Sequence, residues 1–212
     1  MTVGGANPVA RPGRAPAYLP ALGDDIEELL SRVRPSVVQL QGRHRVLGAG
    51  VVEGGGGRVV TAHHVIAQQW PVEVVGADGR RSAARVVHAD PRLDLAVLDA
   101  LDGAWPVAAV GDSSRLRVGE LIFALGHPWG QPWAVAVGIV SGLGPLRLPR
   151  RPELPECIWS DVRLAPGNSG GPLFNARGEV VGLCSMVIGG DLAVAVPSRT
   201  LSRWTQGVPQ CA

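Results

Sequence analysis

Between Ser36 and Val196 the apolar residues come in short runs separated by polar or glycine-rich breaks. "SVVQL", "VLGAGVVE", "RVVTA", "VEVVGA", "AARVVHA" and "LDLAVLDA" form one series, and "ELIFALG", "WAVAVGIVSGL", "ECIWSDV", "GEVVGLCSMVI" and "DLAVAVPS" a second. The runs are rich in β-branched residues, and Gly, Pro, Asp or Asn punctuates most gaps, which predicts β-strands joined by turns. One segment has a different period. In "DDIEELLSRVRP" the residues Ile26, Leu29, Leu30 and Val33 recur at helical spacing, with Asp24 and Asp25 as caps and Pro35 as the stop. "SRTLSRW" predicts a short closing helix. Helices of useful length are missing between the strands, so the pattern predicts an all-β sandwich or barrel and not a doubly wound α/β fold.

A division falls near "GDSSRLRVGE" and leaves two halves of similar size. The expected organisation is a disordered Gly/Pro/Ala-rich tail over residues 1–23, an N-terminal helix and first β unit over 24–116, and a second β unit with a short C-terminal segment over 117–212. At 212 residues and 46% hydrophobic content, the chain has ample material for such a core.

Charge and cysteines narrow the function. The net charge is +2 without a basic block, which argues against a nucleic-acid partner. All 20 basic residues are arginine. Cys157, Cys184 and Cys211 are widely spaced and odd in number, so neither a disulfide framework nor a metal site is expected. No apolar run reaches membrane-spanning length, and the first residues lack the apolar centre of a signal peptide. A cytoplasmic location is expected on these grounds, or an exported one if the N-terminus is incomplete.

The stretch richest in chemistry is "LAPGNSGGPLFN". Ser169 stands among Gly167, Gly170 and Gly171, and glycines let backbone N–H groups approach a ligand closely. An acyl-transfer nucleophile needs that setting: an exposed hydroxyl, and N–H groups facing the developing oxyanion. Gly167 and Ser169 are the natural donors. "GNSGG" also satisfies the GxSxG pattern of α/β-hydrolases, but those place their histidine after the serine, and no histidine follows Ser169 here. The order His…Asp…Ser remains. In "DPRLDLAVLDA", Asp94 is the acid candidate, because it is embedded in an apolar run where a carboxylate needs a hydrogen-bonding partner. In "VVTAHHVI" the adjacent His63 and His64 compete for the role of base, and spacing alone does not choose between them.

Taken in order, "VVTAHHVI", "DPRLDLAVL", "VGDSSRLRVGELIFALGHPWG", "VGIVSGLG", "APGNSGGPLFNARGEVVGL" and "AVAVPS" resemble the trypsin-like serine proteases of the HtrA (Deg) group. The resemblance covers roughly residues 26–203 and is to the protease domain only, without the PDZ domain that most members carry. It implies two six-stranded antiparallel β-barrels of the chymotrypsin type with the site in the cleft between them. Matching the family's T-x-x-H-V pattern selects His64 as base, Asp94 as its partner and Ser169 as nucleophile; His63 is left to packing or solvent. The implied reaction is endopeptidase cleavage of unfolded or exposed protein segments through an acyl-enzyme, without cofactor or metal. The alternative is a silent peptide-binding or chaperone-like module on the same fold. A trimer is the family's common assembly. His127, in "LGHPWG", stands where the family commonly has asparagine. Arg163, Leu164, Ser185, Val187 and Ile188 are expected to border the specificity pocket. The aliphatic members favour small or medium aliphatic residues before the scissile bond, whereas Arg163, if it entered the pocket, would favour acidic ones.

Overall fold

The computed structural model describes residues 18–43, 45–55, 57–67, 71–147 and 153–208. The expected tail, His44 and Cys211 lie outside the described residues, apart from the tail's last residues, which are helical. Twelve strands close into two antiparallel barrels. The first contains β1 (Val37–Gln41), β2 (Val46–Val52), β3 (Arg58–Ala62), β4 (Val72–Val75), β5 (Arg81–Asp90) and β6 (Leu95–Ala100), in the order β1-β2-β3-β6-β5-β4. The second contains β7 (Leu121–Gly126), β8 (Ala134–Leu146), β9 (Leu154–Ser160), β10 (Pro172–Asn175), β11 (Val180–Ile188) and β12 (Leu192–Pro197), in the order β10-β11-β12-β9-β8-β7. Closure removes the unpaired edges that an open sheet of this composition would expose. Eleven of these strands coincide with the apolar runs. The twelfth, β10, is the "PLFN" that directly follows the glycine turn, and it is too short to stand out from that turn in the pattern.

Among the described residues three α-helices accompany the barrels: α1 (Tyr18–Val33), the single turn α2 (His63–Ile66) and α3 (Ser198–Gln206). The capping signal at Asp24 predicts a later start for α1 than the one observed. Pro20 falls in the first turn, where an N–H has no intrahelical partner to lose, so it does not stop the helix. Leu29 and Val33 of α1 pack with Val37 of the first barrel and Phe123, Leu125 and Phe174 of the second. The helix therefore ties both barrels together from behind.

Each barrel has its own core. Val38, Leu40, Val59, Val74 and Leu98 fill the first, and Ile122, Val140, Ile158, Leu173 and Val181 the second. A third apolar cluster lies between them, joining Val51, Val60, Leu95 and Val97 to Leu183, Val196 and Leu201. Outward residues of the first barrel thus become core residues of the whole. This is why the β6 run is apolar almost throughout and does not alternate.

Candidate active site

The register of β3 against β6 pairs Ala62 with Leu95. The next residues of each strand leave the barrel at the same rim, and the ladder continues as His63 N–H donates to the Asp94 carbonyl at 3.0 Å. There β3 turns into α2, which is long enough only to carry His64 over Asp94. The His64 backbone N–H donates to Asp94 Oδ1 at 3.0 Å, and ring Nδ1 lies 2.8 Å from Oδ2 and 3.1 Å from Oδ1. With the Nδ1 proton directed at the carboxylate, Nε2 keeps its lone pair for another partner. Asp94 adopts φ +57°, a left-handed conformation that aspartate tolerates better than branched residues. Its side chain is 14% exposed against 49% for His64, so the carboxylate is sheltered and the imidazole accessible. Burial on its own would raise the Asp94 pKa. Hydrogen bonds from His64 and the Ser185 hydroxyl, with the field of His64, more than offset it and hold the carboxyl below its ordinary value.

Ser169 comes from the second barrel. Its carbonyl accepts from Ala49 N–H of β2 at 2.9 Å, fastening the glycine turn to the first barrel. Within the turn Asn168 N–H donates to Ala165, Gly170 N–H to Cys184 and Gly171 N–H to Asn168. Gly167 and Ser169 N–H donate to none of the turn's carbonyls, and both residues border the cleft. Gly167 adopts φ +108°, and a Cβ there would stand 2.1 Å from the His127 carbonyl oxygen, so only glycine fits this turn. The Ser169 hydroxyl donates to the Ser185 carbonyl in a long bond of 3.4 Å.

His63, His64, Asp94 and Ser169 all line one open cleft of about 1650 Å³ between the barrels. Leu164, Ser185 and Val187 line it as well. Arg163 and Ile188 do not. Arg163 is exposed, and Ile188 packs into the apolar cluster of Leu146, Leu154, Cys157 and Val194. Ser185 has a role that its place in the sequence does not announce: its hydroxyl donates to Asp94 Oδ2, making it a positioning residue for the carboxylate. Only the docking of β11 against the first barrel reveals that contact. Asn168 is buried, its amide oxygen packed close over Gly126.

His127 supports the turn from below. It is fully buried, its backbone N–H donates to Gly167 carbonyl at 3.1 Å, and its Nδ1 accepts Trp133 N–H at 3.2 Å. Its Nε2 faces the Val38 backbone without a well-formed hydrogen bond. Burial lowers its pKa to about 4, so the ring is neutral at ordinary pH.

Residues 48–183 match the family model for the trypsin-like peptidase domain. A probable periplasmic serine endoprotease DegP-like of Marinomonas sp. (strain MWYL1) is 41% identical over 164 residues, which are 75% of this chain and 34% of the relative. The DegP-like protein of Chlamydia trachomatis is 34% identical over 77% of this chain and 34% of its own length. The chain thus spans about a third of the length of these relatives. Among solved structures, the HtrA-type protease AlgW with decapeptide superposes with a TM-score of 0.78 at 26% identity, covering 85% of this chain and 66% of that one. The relatives are named periplasmic, which overturns the expected cytoplasmic location and points to an exported protein. Free thiols were no guide to the compartment: Cys157 and Cys184 are buried apart from each other, and burial pushes their pKa values up to about 11 and about 12 whatever the surrounding redox state. By its matched domain, its two barrels and these relatives, the chain belongs to the trypsin-like peptidase family, as an HtrA-like serine protease domain.

Proposed function

We propose that the chain is a serine endopeptidase that cleaves unfolded or exposed segments of exported proteins, with His64, Asp94 and Ser169 as its catalytic residues. The observation that carries this reading is the His64–Asp94 pair, held through both backbone and ring, in one cleft with Ser169. His64 Nε2 takes the Ser169 proton as Oγ attacks the peptide carbonyl carbon. The oxyanion of the tetrahedral intermediate is held by the Gly167 and Ser169 N–H groups, each worth about 2.7–4 kcal/mol by analogy with similar donors. Collapse breaks the C–N bond, His64 gives its proton to the leaving amine, and water repeats the sequence on the acyl-enzyme. Asp94 fixes the imidazole tautomer, and Ser185 fixes Asp94. Leu164 and Val187 on the cleft wall, with Arg163 outside it, favour an aliphatic residue before the scissile bond over an acidic one.

One observation favours the silent peptide-binding alternative: the Ser169 hydroxyl bonds to Ser185 and not to His64. Rotation about Cα–Cβ releases that long bond, which makes it a resting conformer under the catalytic reading. Casein turnover and fluorophosphonate labelling separate the two readings. Labelling and turnover are expected in the wild type, absent in Ser169→Ala and His64→Ala, and largely kept in His63→Ala. An unlabelled wild-type protein that still binds peptide would establish the silent module, and loss confined to His63→Ala would shift the register by one residue.

A further inference from the structure

We propose that the cleft reads carboxylates on both sides of the scissile bond, through Arg45 and Arg92. The proposal builds on the endopeptidase reading and concerns residues outside its catalytic set and its specificity pocket. Barrel order provides the geometry. Strand β3, which leads into His64, lies between β2 and β6. The three strands alternate in direction, so the start of β2, the end of β3 and the start of β6 share one rim. Arg45 immediately precedes β2, and Arg92 lies in the turn just before β6. The two arginines therefore flank His64 on opposite sides, and both border the cleft.

The charge balance of the cleft points the same way. Asp94 is the one carboxylate among its described lining residues, and its oxygens are taken by His64 and Ser185. Neither Arg45 nor Arg92 has an ion-pair partner among the described residues, whereas six other arginines do. Asp90 and Glu153 share a small neighbouring depression with Arg92, each with one carboxylate oxygen already engaged elsewhere. Asp90 Oδ1 accepts the backbone N–H groups of Arg92 and Leu93, and Glu153 pairs with Arg147 at 3.0 Å. Two guanidiniums without an ion-pair partner among the described residues thus border the cleft. Each is a planar fork that matches a carboxylate in two hydrogen bonds. Acidic recognition enters at the two ends of the cleft, while the pocket beside Ser169 stays apolar.

Both arginines are exposed, so each contact is worth what a good surface pair is worth, roughly a two- to fivefold preference per side. The preference weakens as salt is raised. The test profiles cleavage of a mixed peptide library by mass spectrometry, for the wild type and for Arg45→Gln, Arg92→Gln and Arg163→Gln. The expected wild-type profile is enriched in Asp and Glu within three residues on either side of the cut, the residue directly before it excepted. Arg45→Gln removes the enrichment on one side, Arg92→Gln on the other, and Arg163→Gln on neither. A wild-type profile without enrichment, or one that survives in the double Arg45→Gln/Arg92→Gln protein, overturns the proposal. A second measurement works without turnover: fluorescence anisotropy of Ser169→Ala with a Glu-flanked peptide and its Gln isostere. A wild type that cleaves nothing, beside a Ser169→Ala protein that prefers the Glu peptide, refutes the endopeptidase reading alone. Equal affinity for the two peptides refutes the charge reading alone.

Discussion

His127 shows how much a single fully buried residue can carry. Its carbonyl sits where a Gly167 Cβ would be, its N–H holds the Gly167 carbonyl, and its ring accepts from Trp133. The ring is neutral because burial lowers its pKa from 6.5 to about 4. As the pH falls below 6.5, the unfolded chain takes up a proton that the folded protein refuses, so stability declines between pH 6.5 and about 4 and levels off below that window. The full shift corresponds to about 3 kcal/mol. His127→Asn, which restores the family's residue, is expected to lose less stability than the wild type over this window. Urea unfolding at pH 7 and pH 4.5 checks it. Parallel losses in the two proteins would show that His127 does not titrate as its burial demands.

At the scale of elements, the site is made where regular structure ends. The β3–β6 ladder runs out at Ala62 and Leu95, and the turn of α2 converts that register into the His64–Asp94 contact. The glycine turn ahead of β10 is held by hydrogen bonds to three other segments: β2 through Ala49, β11 through Cys184, and the His127–Trp129 segment. Such a turn does not move to admit a side chain. Gly167→Ala, clashing with the His127 carbonyl and strained at φ +108°, is expected to lower kcat by about 10²-fold or more with little change in KM. The same clash costs stability, so steady-state kinetics beside a thermal melt separates the loss of kcat from the loss of folded protein. A Gly167→Ala protein with wild-type kcat would remove Gly167 N–H from the oxyanion site. Much of this layer was legible. Eleven strands coincide with apolar runs, and "GNSGG" marked its own turn because glycines are needed where backbone must come close. The α1 start was not legible, since a proline in a first turn leaves no local mark of being tolerated.

At the scale of the molecule, the cleft exists because two barrels dock. The residues proposed as catalytic are divided between them, with His64 and Asp94 on the first and Ser169 on the second, so the interface sets their separation. Leu183 is fully buried in the cluster that joins the barrels, and it lies one residue from Cys184, whose carbonyl holds Gly170. Leu183→Ala is expected to cost about 2–5 kcal/mol of stability, measured by urea unfolding. It should also lower fluorophosphonate labelling at temperatures where the protein remains folded. Leu40→Ala, deep in the first barrel alone, carries a similar stability cost and is the comparison. Equal labelling rates in the two variants would mean that docking does not govern the geometry of the site.

The sequence by itself determined the strand-rich architecture, the Gly167–Ser169 turn and the candidacy of Asp94. Each of these is local: alternation, turn chemistry and a carboxylate among apolar neighbours are written in adjacent residues. The choice of His64 over His63 needed the family pattern, since two neighbouring histidines offer the same chemistry and differ in where the backbone aims them. Tertiary structure alone decided the rest. Ser185 reaches Asp94 across 91 residues of chain, Arg163 turns to solvent although its position suggested the pocket, and Arg45 and Arg92 come to flank one histidine because three strands alternate in direction. Contacts of this kind depend on barrel closure and register, which are properties of the whole set of pairings and leave no trace in any one segment.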